Sequence, residues 1–189
     1  GMKFFPSQEA TVEYFLVVSL LFLLQIIMGI ITAHYGVEGH GFYGIPLADY
    51  LPYVVTRTWH TQLGIFWIAT AWLAAGLFVG PIICGYEPKY QKLGVDALFG
   101  ALLIVVLGSM GGQWMSVMHK LGNGDLWFWF GHQGYEYVDL GRVWQAALFV
   151  GLLLWLFLII RTTAPALKDK TTPKSLLVLY LISTTGIAL

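Results

Sequence analysis

Long uncharged stretches, broken by short polar ones, set the pattern of this chain. Tyr14–Ala33, Thr61–Tyr86, Ala97–Met118 and Val143–Ile160 contain no Asp, Glu, Lys or Arg. A helix needs roughly 20 apolar residues to cross about 30 Å of hydrocarbon, and each run meets or approaches that length. The pattern predicts helices over about 10–34, 54–79, 95–118 and 141–161, with a fifth over 174–189. Pro81, Pro88, Pro165 and Pro173 are expected in the connections, because proline lacks the N–H that a helix interior needs. The fold class is therefore all-α: an integral membrane helical bundle over residues 1–189, with four complete transmembrane helices plus the start of a fifth. The last run, Ser175–Leu189, ends with the chain, so the sequence reads as a fragment of a longer polypeptide.

The charged positions orient the bundle. Lys3, Lys89, Lys92, Arg161, Lys168, Lys170 and Lys174 fall on one side, seven of the ten Lys and Arg residues, against Arg57, Lys120 and Arg142 on the other. Positive charge is retained on the cytoplasmic side, so the N-terminus of the chain is expected to be cytoplasmic. The two outward connections hold the aromatic and glycine-rich stretches Gly39–Gly44 and Trp127–His132. They read as interfacial caps, since Trp and Tyr favour headgroup depth.

Composition reinforces this picture. Apolar residues make up 58% and charged ones 11%, with mean hydropathy +0.73, whereas a soluble domain is about a quarter charged. A formal net charge of zero leaves no footprint for nucleic acid. The single cysteine, Cys84, can form neither an internal disulfide nor a thiolate cluster, and is expected to be a packed, inert thiol. The first apolar stretch is longer than a signal-peptide core and lacks a clear small-x-small cleavage site, so no cleavable signal is expected.

Candidate chemistry gathers in the outward half. His60 opens the second helix, and Gly64, Trp67, Ala71 and Ala75 follow it at helical spacing. That mostly small stripe leaves room for a flat cofactor or for a closely packed helix. An imidazole at its rim suits axial ligation of haem, although a lone histidine at a membrane boundary is more often an ordinary interfacial or hydrogen-bonded residue. Arg57, three residues earlier, suits haem propionates. No Cys-x-x-Cys-His occurs, so any haem would be held non-covalently. His34 and Glu38 share a face if the first helix continues one more turn, and such a pair suits the two protons released when a quinol is oxidised. Gly36 and Gly39 leave a solvated helix end as the other reading. Glu136 and Asp139 suit a hard cation such as Ca²⁺, or simply water. Gln25 is expected to hydrogen-bond a neighbouring helix, and Gly108-x-x-x-Gly112 to admit one at close range.

Several of these residues lie in longer motifs. Tyr50–Leu63, which contains Thr-Arg-Thr-Trp-His, followed by Phe66–Thr70, resembles the second helix of the quinol-dependent nitric oxide reductases of the haem–copper oxidase superfamily. Thr32–Tyr35 followed by Gly41–Gly44, and Gly131–Arg142, resemble the same family. The resemblance implies an all-helical bundle in which electrons from quinol pass through a low-spin haem b to a second haem b paired with non-haem iron. There two NO become N₂O and water. Carried over residue by residue, it makes His60 an axial ligand of the low-spin haem b, puts Arg57 near its propionates, and gives His34 and Glu38 to quinol. It assigns Glu136, with Asp139 as rival, to a Ca²⁺ bridging haem propionates.

The family's large N-terminal extramembrane domain, second axial histidine, high-spin haem ligand and His/His/Glu iron site are absent from these 189 residues. They are expected from the remainder of the same polypeptide, with no catalytic residue inside this stretch. Expected partners are quinol, membrane lipid, that remainder and a second copy in a homodimer, in a bacterial or archaeal cytoplasmic membrane. A nitric oxide dismutase shares the scaffold but lacks the quinol-site residues, so His34 and Glu38 favour the reductase. A non-catalytic structural membrane subunit is the alternative from another class.

Overall fold

The computed structural model describes residues 3–122, 124–131 and 140–189. Among the described residues every regular element is a helix: α1 (Pro6–Val37), α2 (Leu47–Tyr50), α3 (Tyr53–Cys84), α4 (Gln91–Val117), α5 (Leu126–Phe130), α6 (Arg142–Lys168) and α7 (Lys174–Ala188). Helices α1, α3, α4 and α6 are each long and apolar enough to cross a membrane, and α7 is shorter. Hydrocarbon offers no partner to backbone N–H and C=O groups, so continuous helices, which satisfy them internally, are what such runs must form. The chain is a multi-pass membrane protein.

The helices outrun the uncharged stretches that foretold them. Beyond the expected 10–34, α1 adds a turn at either end, and α3 covers 53–84 rather than 54–79. Pro81 and Pro165 lie inside α3 and α6 rather than in connections. Each removes one N–H but keeps its carbonyl, which Gly85 and Asp169 use to continue the last turn. The short helices α2 and α5 were not foreseen; four or five residues carry too little periodicity to register.

The chain divides into two compact units. The first comprises Gly1–Val17, Ala69–Leu103 and Ala147–Leu189, and the second Val18–Ile68 and Ile104–Ala146. In the first unit Tyr14, Leu77, Val95, Trp155, Leu158, Ile159 and Leu177 are buried. Polar side chains there tie helix to helix. The Trp155 indole donates to the Leu73 carbonyl at 3.1 Å, the Tyr180 hydroxyl to Gly76 at 2.6 Å and the Tyr14 hydroxyl to Val95 at 2.6 Å. Gln8 donates to the Phe78 carbonyl at 2.9 Å, and Arg161 to the Gln91 amide oxygen at 2.7 Å. Gly76 is required by the packing: a Cβ there would lie 2.7 Å from the Trp155 ring.

In the second unit the core is built on Val55, Leu63, Phe66, Val105, Val106 and Met110. Trp59 donates to the Met110 carbonyl at 3.2 Å and Trp114 to that of Tyr50 at 2.7 Å. Gly108 and Gly112 lie so close to the Trp144 ring and the Phe130 carbonyl that neither has room for a Cβ. Large apolar side chains such as Leu16, Phe149 and Ile182 are exposed. In a chain that spans a bilayer, such a surface suits lipid or another apolar helix rather than water. Cys84 ends α3 half-buried as a free thiol.

Candidate functional site

His60 lies two turns into α3, half-buried within the second unit. Its Nδ1 is 2.8 Å from the backbone carbonyl of Gln25 on α1. A carbonyl can only accept, so Nδ1 carries the proton and, in the neutral ring, Nε2 carries the lone pair. The neutral imidazole thereby presents a lone pair at one chosen nitrogen, an arrangement also found in metal-binding histidines.

The approach depends on a missing atom. A Cβ at Gly29, one turn along α1 from Gln25, would sit 2.7 Å from Cε1 and 2.8 Å from Nδ1 of His60. The Gln25 side chain occupies the neighbouring space. Its Oε1 accepts the Trp67 indole N–H at 2.6 Å, and its Nε2 would be 2.6 Å from a Cβ at Gly64. Gln25 thus meets a neighbouring helix, namely α3. The small stripe below His60 is accordingly not one open slot. At Gly64 its room is filled by Gln25, while Ala71 is half-buried and Ala75 exposed. Arg57 is exposed one turn before His60, and its carbonyl accepts the Thr61 hydroxyl at 3.2 Å.

A second cluster forms where α1 ends. The helix does continue past Gly36: the Glu38 amide donates to the His34 carbonyl at 2.9 Å. His34 Nδ1 and Glu38 Oε2 therefore come to 3.2 Å, with the side chains 36% and 43% exposed. Gly39 then takes φ +92°, a conformation that side chains resist, and the chain turns back on itself. Phe42 stacks on the His34 ring at 3.9 Å and 8°, and Tyr43 meets it edge-on at 5.9 Å. Tyr35 packs against His40 and Tyr43 in the same cluster. The hydroxyls of Tyr35 and Tyr43 are buried with no hydrogen-bond partner among the described residues. An ionised carboxylate only accepts, so in the neutral ring a proton on Nδ1 leaves His34 Nε2 free to receive one.

The profile of the family described as Cytochrome C and Quinol oxidase polypeptide I matches residues 9–189. The chain belongs to that family. It is a haem–copper oxidase subunit I type of membrane protein, and the family is one of oxidoreductases that bind haem. No curated protein matches the chain.

The sequence singles out His60, His34 and Glu38 but not Gly29; it marks Phe42 and Tyr43 as part of an aromatic cap and motif, without their packing on His34. Trp67 stands in the sequence within the stripe below His60 and within the motif Phe66–Thr70, without the bond to Gln25 that the structure gives it. A signal for Gly29 existed, since Gln25 and Gly29 lie one turn apart on α1. Which carbonyl a glycine uncovers, however, depends on the helix packed against it. Glu136 and Asp139 lie outside the described residues. Among the described residues no group of three or more His, Cys, Asp or Glu side chains is placed to hold a metal ion.

Proposed function

We propose that this chain is part of a quinol-oxidising nitric oxide reductase and supplies one axial ligand of a low-spin haem b together with part of the quinol site. The observation that carries the reading is the His60 tautomer: Nδ1 is engaged by an acceptor-only carbonyl, which leaves Nε2 as the ligating lone pair. The donor set suits haem, whose iron takes imidazole nitrogen as a proximal or axial ligand. His60 would hold the iron and the Arg57 guanidinium would pair with a propionate. A haem so held supplies one-electron transfer; the rest of the work falls to the chain's own residues.

At the end of α1 the His34–Glu38 pair is offered as the proton acceptor for quinol. His34 Nε2 accepts the first hydroxyl proton. The positive charge formed on the ring is stabilised by the Glu38 carboxylate 3.2 Å from Nδ1. The carboxylate can then take the Nδ1 proton and relay it outward, leaving a neutral ring protonated at Nε2. A flip of the ring that turns this protonated nitrogen toward Glu38 presents the bare one to the second proton. Phe42 and Tyr43 provide a flat apolar seat for the quinol ring, and the unpartnered hydroxyls of Tyr35 and Tyr43 provide hydrogen-bonding capacity for its oxygens. The binuclear centre at which two NO combine, and a Ca²⁺ held at Glu136 with Asp139 as rival, belong to the same proposal.

The test is His60→Ala in the holoenzyme, followed by the reduced low-spin haem α-band and quinol-dependent NO consumption. The expected result is loss of the α-band and of turnover. An unchanged α-band would overturn the ligand assignment and the redox reading with it.

A further inference from the structure

The environment of His60 contains more than a ligand requires. Its hydrogen bond goes to a carbonyl inside a continuous helix, Pro6–Val37, where Gln25 C=O ordinarily serves only the N–H four residues on. A carbonyl has a second lone pair, but a Cβ at position 29 would lie in the path of any ring that reached for it. Glycine costs a helix about 1 kcal/mol relative to alanine, so a glycine in mid-helix calls for a reason. Here the reason is geometric: the imidazole occupies the volume that a Cβ would take, 2.7–2.8 Å from two of its atoms.

Across α3 the same segment is pinned a second time. An indole N–H only donates, so the 2.6 Å contact identifies Oε1 of Gln25 as the atom facing Trp67. Gly64 makes room for the amide between the two helices. Residue 25 is thus held on both its carbonyl and its side chain, and neither can slide without displacing the other.

We propose that Gly29, together with the Gln25–Trp67 hydrogen bond, forms a positioning element that fixes which nitrogen His60 presents and how strongly that nitrogen donates. The inference rests on His60 being a haem ligand, as proposed above. A hydrogen bond from Nδ1–H to a carbonyl raises the basicity of the ligating nitrogen. A more basic axial ligand favours the ferric state and lowers the reduction potential. Gly29 therefore acts through His60, not on the haem itself.

The experiment compares the holoenzyme with Gly29→Ala, Trp67→Phe and, as a control, Gly100→Ala, a glycine with open space around it. The readouts are the midpoint potential and EPR g-values of the low-spin haem, with thermal stability measured alongside. In Gly29→Ala the Cβ pushes the ring off the Gln25 carbonyl. The potential should rise by an amount equivalent to about tenfold in the one-electron equilibrium, about 59 mV, with shifted g-values. Trp67→Phe should move the potential in the same direction by less, and Gly100→Ala should leave it alone. A folded Gly29→Ala protein with the parent potential and g-values would overturn the inference. Should that variant fail to fold, Trp67→Phe decides, and an unaltered potential there overturns it equally. A low-spin signal that survives His60→Ala would instead remove the ligand reading beneath it, whatever the glycine variants do.

Discussion

Both units of the chain use polar donors to hold helices together, but only the second also holds histidines by one ring nitrogen. In the first, donors are consumed in holding helices together: Trp155 on Leu73, Tyr180 on Gly76, Tyr14 on Val95 and Gln8 on Phe78, each bonded to a backbone carbonyl. In the second, His60 and His34 each have one ring nitrogen engaged by an acceptor, so that the other is defined by default. Buried amides there, Gln62 and Gln113, have no hydrogen-bond partner among the described residues. An unmade hydrogen bond on a buried group costs about 1–3 kcal/mol, a penalty the first unit largely avoids at its glutamines. The contrast is between a donor that joins two helices and an acceptor that fixes a tautomer, leaving the second ring nitrogen of a neutral histidine as an acceptor.

The sharpest way to break this comparison is to damage the first unit alone. Gly76→Val forces two methyl groups toward the Trp155 ring, already 2.7 Å from a bare Cβ. Overpacking of this kind costs about 1–3 kcal/mol. Thermal stability should drop while the haem spectrum of the surviving folded protein stays the same; a shifted spectrum would mean the division of labour is wrong. Next in size is Glu38→Gln, which removes the carboxylate but preserves shape. Quinol-dependent turnover should fall about tenfold, about 1.4 kcal/mol of barrier, with normal turnover on a chemical reductant that bypasses quinol. Equal loss with both donors would place the defect elsewhere.

The smallest effect belongs to Asp169, in the connection between α6 and α7. The Thr171 backbone N–H, at 2.9 Å, and then the Thr171 hydroxyl, at 2.8 Å, hold its carboxyl below the usual carboxylate range. A group with a depressed folded-state value adds stability above its unfolded value and loses it as pH falls through the folded one. Asp169→Asn should therefore melt slightly below the parent at neutral pH, with the two converging in acid. A gap that persists at low pH would show that the side chain acts through shape and not charge.

Much of the architecture was legible in the chain, and particular residues show why. The run Thr61–Tyr86 is uncharged because a charge at that depth would face hydrocarbon, so length and polarity alone marked α3. The ends were less legible. Polar residues such as Ser7 and Gln8 join α1 because tertiary partners reward them: the Ser7 amide donates to Glu87 at 2.8 Å and the Gln8 side chain to the Phe78 carbonyl at 2.9 Å. At the site, His60 stood out through its place at the rim of a helix, and His34 with Glu38 through their spacing. In sequence the stripe below His60 offers room for a flat cofactor or for a helix, and only the position of the Gln25 amide distinguishes the two at Gly64.

By itself the sequence determined the solvent this protein lives in, its helices and the candidate residues, His60, His34 and Glu38, on which the proposed function rests. Those properties follow from local composition, because a bilayer penalises every unpaired charge and backbone group one residue at a time. The tertiary structure alone decided which nitrogen of His60 is free. That choice is made by a carbonyl 35 residues away in the chain, uncovered by the absence of a single methyl-sized group at Gly29. Nothing near His60 in the sequence encodes it, since it exists only once α1 and α3 lie side by side.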